Sequence, residues 1–86
     1  MGYTTTGYKL RLNMSNSIHS KEYQTTIRRL KEARLEVGFK QEEVAMKLGK
    51  PQSYVSKIER GERRVDIAEL SALAKIYKKS LDYFVK

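Results

Sequence analysis

From Tyr23 onward, apolar residues recur at intervals of three and four, the spacing that lines up one face of a helix. Tyr23, Ile27, Leu30, Arg34 and Val37 form a first stripe, and Gly38 follows where a left-handed C-terminal cap belongs. A second helix is predicted over Gln41–Leu48, with Val44, Ala45 and Leu48 facing inward and Gly49 ending it. Pro51 suits the first turn of a third, which runs to Arg60 with Val55 and Ile58 inward before Gly61 closes it. Asp66 and Glu69 have capping-box spacing for a fourth helix carrying Ile67, Leu70, Leu73, Ala74 and Tyr77. Ser80 opens a fifth, with Leu81 and Phe84 buried. Five short helices with brief connections predict a compact all-α fold.

The pattern breaks before residue 23. Residues 1–22 are rich in Thr, Ser, Asn and Gly, so the chain divides into an N-terminal arm, 1–22, and a helical domain, 23–86. In the arm, Tyr8, Leu10, Leu12 and Met14 alternate with Lys9, Arg11 and Asn13 behind Gly7, a short strand period. A lone strand needs a partner edge, such as its own copy in a dimer. A loose tail fits the composition equally, and Met14 is itself a candidate start.

Composition narrows the chemistry. At 86 residues there is room for one core. With 40% hydrophobic and 33% charged residues the chain resembles a folded globular domain rather than a disordered one. It has no cysteine, which excludes disulfides and thiolate metal sites. No apolar run approaches the roughly 18 residues of a membrane span. The start lacks the apolar centre of a secretory signal, so a cytoplasmic location and no membrane partner are expected. The net charge is +8, and residues 23–86 hold fifteen basic against nine acidic groups, or +6 of it. A polyanion, first of all nucleic acid, is the implied partner, although solubility alone also uses such charge. Six Tyr and two Phe include no run like a single-strand stacking platform. His19, the one histidine, sits in the polar arm as a solvated residue. With no carboxylate pair, nucleophile elbow or phosphate-binding glycine loop, neither an enzyme nor a cofactor or metal is expected.

The informative stretch is 41–60, QEEVAMKLGKPQSYVSKIER. Two helices cross steeply only over a small contact residue, which Ala45 supplies. The turn between them needs positive φ or a close backbone approach, which Gly49 supplies. Val44, Leu48, Val55 and Ile58 lock the pair. Gln52, Ser53, Ser56 and Lys57 are then left to project together, away from the core.

At this point the chain resembles a known family. Residues 27–84 are similar to the Xre/Cro helix-turn-helix domains of phage repressors, restriction–modification controller proteins and many antitoxins. The likeness lies in Arg34…Gly38, in Gln41-x-x-Val44-Ala45…Leu48-Gly49, in Val55-x-x-Ile58-Glu59-x-Gly61, and in Ile67…Leu70 beyond. It implies a five-helix, lambda-repressor-like domain that binds double-stranded DNA. It implies a phosphate contact at Gln41 and base contacts from Gln52, Ser53 and Lys57, with Ser56 on the same face. Gln bonds adenine N6 and N7, and Lys donates to guanine O6 and N7. A solvated helix surface would account for those residues without the surrounding motif. Tyr54 flanks the face, where a phosphate, a thymine methyl or plain packing would each suit it.

The likeness further implies a partly buried Arg34–Glu59 ion pair of structural importance. Arg60, Arg63 and Arg64, around Gly61, resemble a phosphate clamp, or else a solvated charge run. Where family members often cap the second and third helices with Thr, Ser or Asn, this chain has Lys40 and Lys50. A cation there opposes the helix dipole by about 0.3–1 kcal/mol, which bound phosphates would offset and a well-packed fold would also tolerate. Two function classes follow. One is a transcriptional repressor or activator, dimeric on a palindromic operator, with Tyr77, Leu81, Tyr83, Phe84 and Val85 as the dimer surface. The other is an antitoxin or protein-interaction module on the same fold. It would be favoured by a long partner-binding tail, which this sequence does not show.

Overall fold

Ser20 turns the chain into its first helix, its hydroxyl accepting a hydrogen bond from the Tyr23 amide at 3.1 Å. The structure, a computed structural model, describes residues 20–86. The expected strand over residues 8–14, the candidate start Met14, and His19 lie outside the described residues. Helix α1, Lys21–Val37, starts two residues before the predicted Tyr23, because the serine cap reaches forward three positions. It ends at Gly38, whose φ of 86° places it in the left-handed region.

Four shorter helices follow: α2 Gln41–Leu48, α3 Gln52–Glu59, α4 Ile67–Tyr77 and α5 Leu81–Val85. The Asp66–Glu69 capping box forms as expected. Asp66 Oδ1 accepts from the Glu69 amide at 2.8 Å, and Glu69 Oε1 accepts from the Asp66 amide at 3.0 Å. Pro51 is the N-cap of α3 rather than its first helical residue, so Lys50 stands one position further out than a cap. Helix α4 ends at Lys78, the one non-glycine residue with positive φ, 59°, among the described residues.

The core gathers Ile27, Leu30 and Ala33 of α1, Val44 and Ala45 of α2, and Tyr54, Val55 and Ile58 of α3. Leu70, Leu73, Ala74 and Tyr77 of α4 and Phe84 of α5 complete it. Helix α5 has five residues, too few to hold itself. It is fixed by the full burial of Phe84 and by two bonds from α1. Thr26 Oγ1 donates to the Phe84 carbonyl at 2.8 Å, and Arg29 Nη1 to the Tyr83 carbonyl at 3.1 Å.

Expectations about the faces are corrected at four residues. Val37 and Ile67 were placed inward but are 37% and 68% exposed, since each is a terminal residue of its helix and overhangs the packed turns. Tyr77 and Phe84 were expected to face the core and were also placed on a dimer surface; at 1% and 0% exposed they do the first and not the second. With so few residues to fill the space between α1 and α4, the core takes both rings, and neither is available to a second chain.

Candidate nucleic-acid interface

Helices α2 and α3 pack against each other, and Ala45 of α2 is buried at 2% exposure, a small side chain where a larger one would hold neighbours apart. Gly49 joins them at φ 69°. A Cβ built there meets nothing within 4 Å, so the glycine answers the positive φ and not a steric limit. With Tyr54, Val55 and Ile58 turned into the core, α3 presents Gln52, Ser53 and Lys57 to solvent and Ser56 at the edge. At roughly 100° per residue these four cover about 140° of the helix surface, a single face.

Behind that face lies a polar chain leading out of the core. Arg34 Nε and Nη2 donate to Glu59 Oε2 and Oε1 at 2.6 and 3.0 Å, and Arg34 Nη1 donates to the Phe39 carbonyl at 2.8 Å. The two side chains are 9% and 4% exposed, so the pair is buried, as the resemblance implied. Hydrogen bonding to Glu59 raises the Arg34 pKa and holds the guanidinium charged. Gln41 Nε2 donates to Glu59 Oε1 at 2.9 Å, and Gln52 Nε2 makes a long contact of 3.5 Å with Gln41 Oε1. Glu59 therefore fixes Gln41, and Gln41 touches the first outward residue of α3.

Cations rim the face. Arg60 Nε and Nη2 donate to the two oxygens of Glu62 at 3.0 and 3.1 Å, and Nη1 bonds Ser56 Oγ. That pairing raises Arg60 and lowers Glu62 from their ordinary pKa values. Arg63 Nη2 donates to Glu69 at 2.9 Å, and its guanidinium lies 4.6 Å from the Tyr54 ring centroid. Lys50 Nζ is 5.4 Å from the same ring. Arg64 is exposed. Lys40 has no lone pair with which to cap α2. Instead its amide donates to Glu43 Oε1 at 2.7 Å, half of a capping box.

Comparison with known proteins settles the family. Residues 30–84 match the helix-turn-helix family HTH_3. The fold superimposes on an XRE-family-like protein from Pseudomonas syringae pv. tomato str. DC3000 with a TM-score of 0.72. The two are 37% identical, over 85% of this chain and 89% of that one. The chain belongs to the XRE family of helix-turn-helix proteins. No curated protein matches it in sequence.

As an XRE-family chain it is a DNA-binding regulator of transcription, in a family typically without catalytic activity. Among the described residues, no helix is long and apolar enough to cross a membrane. The fold brings Gln52, Ser53, Ser56 and Lys57 onto one face, sets Arg60, Arg63 and Lys50 against residues of the same helix, and leaves Lys40 and Arg64 exposed. It takes Tyr54 out of the expected phosphate-binding set. That side chain is 8% exposed, and burial, the largest influence, lifts its phenol above the ordinary value. Its ring serves as the platform for Arg63 and Lys50. Of the expected dimer residues, Leu81 and Tyr83 are half-buried and Val85 is 57% exposed. Sequence reasoning missed Glu62 and Glu69 as arginine partners, and Tyr23, whose contacts lie some forty residues away. Only Glu62, two residues after Arg60, left a local signal.

Proposed function

We propose that this XRE-family regulator acts in the cytoplasm as a homodimer on a palindromic operator, with α3 in the major groove. The observation that carries the proposal is the single outward face of Gln52, Ser53 and Lys57 on the second helix of the crossed pair. Gln52 suits a bidentate contact with adenine and Lys57 a contact with guanine, while Ser53 and Ser56 fill the face between them. Lys40, Lys50, Arg60, Arg63, Arg64 and the N-terminus of α2 at Gln41 meet the phosphates on either side. Three or four base-reading residues are a small vocabulary, and a two-fold pair doubles it over half-sites about 34 Å apart. The exposed remainder of the chain end, Val85 with the edges of Leu81 and Tyr83, is the surface for that pairing.

Binding of the natural chain, Gln52→Ala and Lys57→Ala to a selected site and to mixed-sequence DNA tests base reading. The substitutions weaken the selected site and leave mixed DNA nearly unchanged. Equal loss on both would move these residues to the phosphate class. Sedimentation with and without DNA tests the pairing, which Val85→Asp disrupts. A chain that stays monomeric in both conditions would remove the dimer.

A further inference from the structure

The connection between α3 and α4, residues 60–66, carries Arg60, Arg63 and Arg64 and has no helix of its own to hold it. It is tied down from a distance. The phenol oxygen of Tyr23, in the first turn of α1, accepts from the Val65 amide at 2.7 Å and donates to the Arg63 carbonyl at 3.3 Å. These two anchors flank Arg64, whose backbone is thereby fixed on both sides while its side chain stays exposed. The next residue, Gln24, closes over the start of the loop, where a Cβ on Gly61 would meet its amide at 3.6 and 3.8 Å. Burial raises the Tyr23 phenol above its ordinary value, so the hydroxyl keeps the proton it donates. On the other side of the loop, Glu69 and the Tyr54 ring hold the Arg63 side chain.

We propose that Tyr23 is a positioning residue for DNA binding, its hydroxyl setting the loop backbone on both sides of Arg64 so that the guanidinium meets a phosphate already in place. The inference rests on the DNA-facing role proposed above for this loop. A loop ordered before binding loses less conformational freedom on the DNA, and this advantage does not depend on sequence.

The test is a double-mutant cycle of Tyr23→Phe and Arg64→Ala. Affinity for a fluorescein-labelled duplex of mixed sequence is read by anisotropy well below the melting temperature of every variant. Tyr23→Phe keeps the ring and removes only the hydroxyl. It weakens binding about five-fold in the natural chain, the scale of one ordinary hydrogen bond. In the Arg64→Ala background, where there is no guanidinium left to place, the loss shrinks below about two-fold. Thr26→Val, which removes a hydroxyl one turn further along α1, lowers the melting temperature and leaves the affinity unchanged. An equal loss from Tyr23→Phe in both backgrounds, or none in the natural chain, overturns the inference. Should Arg64→Ala bind as tightly as the natural chain, Arg64 is no phosphate contact, and the inference falls together with the phosphate role proposed for Arg64.

Discussion

Removing the Glu59 carboxylate should damage this fold more than any other single change to its polar groups. Glu59→Ala takes the acceptor from Arg34 Nε, Arg34 Nη2 and Gln41 Nε2 at once. The guanidinium left behind is 9% exposed and keeps one partner, the Phe39 carbonyl. An uncompensated charge at such a site costs about 3–5 kcal/mol. The whole stability of a domain this size is roughly 3–10 kcal/mol, so the substitution removes about three-tenths of it at least. At about 4–8 °C per kcal/mol, the melting temperature falls by 12 °C or more, as circular dichroism or calorimetry would record. Glu59→Gln keeps one carbonyl acceptor and falls between the two. Replacing both partners, Arg34→Met with Glu59→Leu, recovers most of the loss, because the penalty belongs to the orphaned charge and not to the missing bonds. A Glu59→Ala melting temperature within about 3 °C of the natural one would refute the reasoning and show that the site admits water.

Further outcomes follow from the same structure. Lys78→Gly stabilises by about 0.5–1 kcal/mol in urea unfolding, since the left-handed φ of 59° strains a lysine and suits glycine. Gln52→Ala and Lys57→Ala each cost about 1–3 kcal/mol on the best site and relax preference at particular base pairs, in equilibrium binding. Stability holds level through neutral pH and falls at both ends. The buried phenol of Tyr77 is held well above its ordinary 10.0, so its contribution is whole below pH 10 and lost as pH rises beyond. Glu69 is held below its ordinary 4.5, first by the Asp66 amide, so its contribution is whole above pH 4.5 and lost as pH falls. Tyr77→Phe flattens the alkaline limb.

How much of this was legible in the sequence depended on how local the cause was. The caps at Gly38, Gly49 and Gly61 and the Asp66–Glu69 box act within one turn, and each forms where its residues stand. The Arg34–Glu59 pair, 25 residues apart, was legible only through the family resemblance. Helical periodicity gave a direction for each side chain but not the extent of the surface it packs against. Val37 and Ile67 kept the phase of the core and still overhang it. Tyr77 and Phe84 had the phase of inward residues and were also assigned to a dimer surface, because periodicity does not show how closely α1, α4 and α5 meet. Only the inward reading survives their burial. The two bonds of Tyr23 had no signature, since a tyrosine at the start of an amphipathic helix reads as one more core residue.

The central claim is that α3 reads sequence. Selection of bound duplexes from a random pool, run in parallel with the natural chain and Gln52→Ala, tests it most directly. The natural chain should enrich a two-fold symmetric site with half-sites about one helical turn apart, roughly 10 base pairs. Gln52→Ala should enrich the same site with one base pair of each half-site left unspecified. A pool that shows no enrichment with the natural chain, or an identical site with both, would contradict the claim.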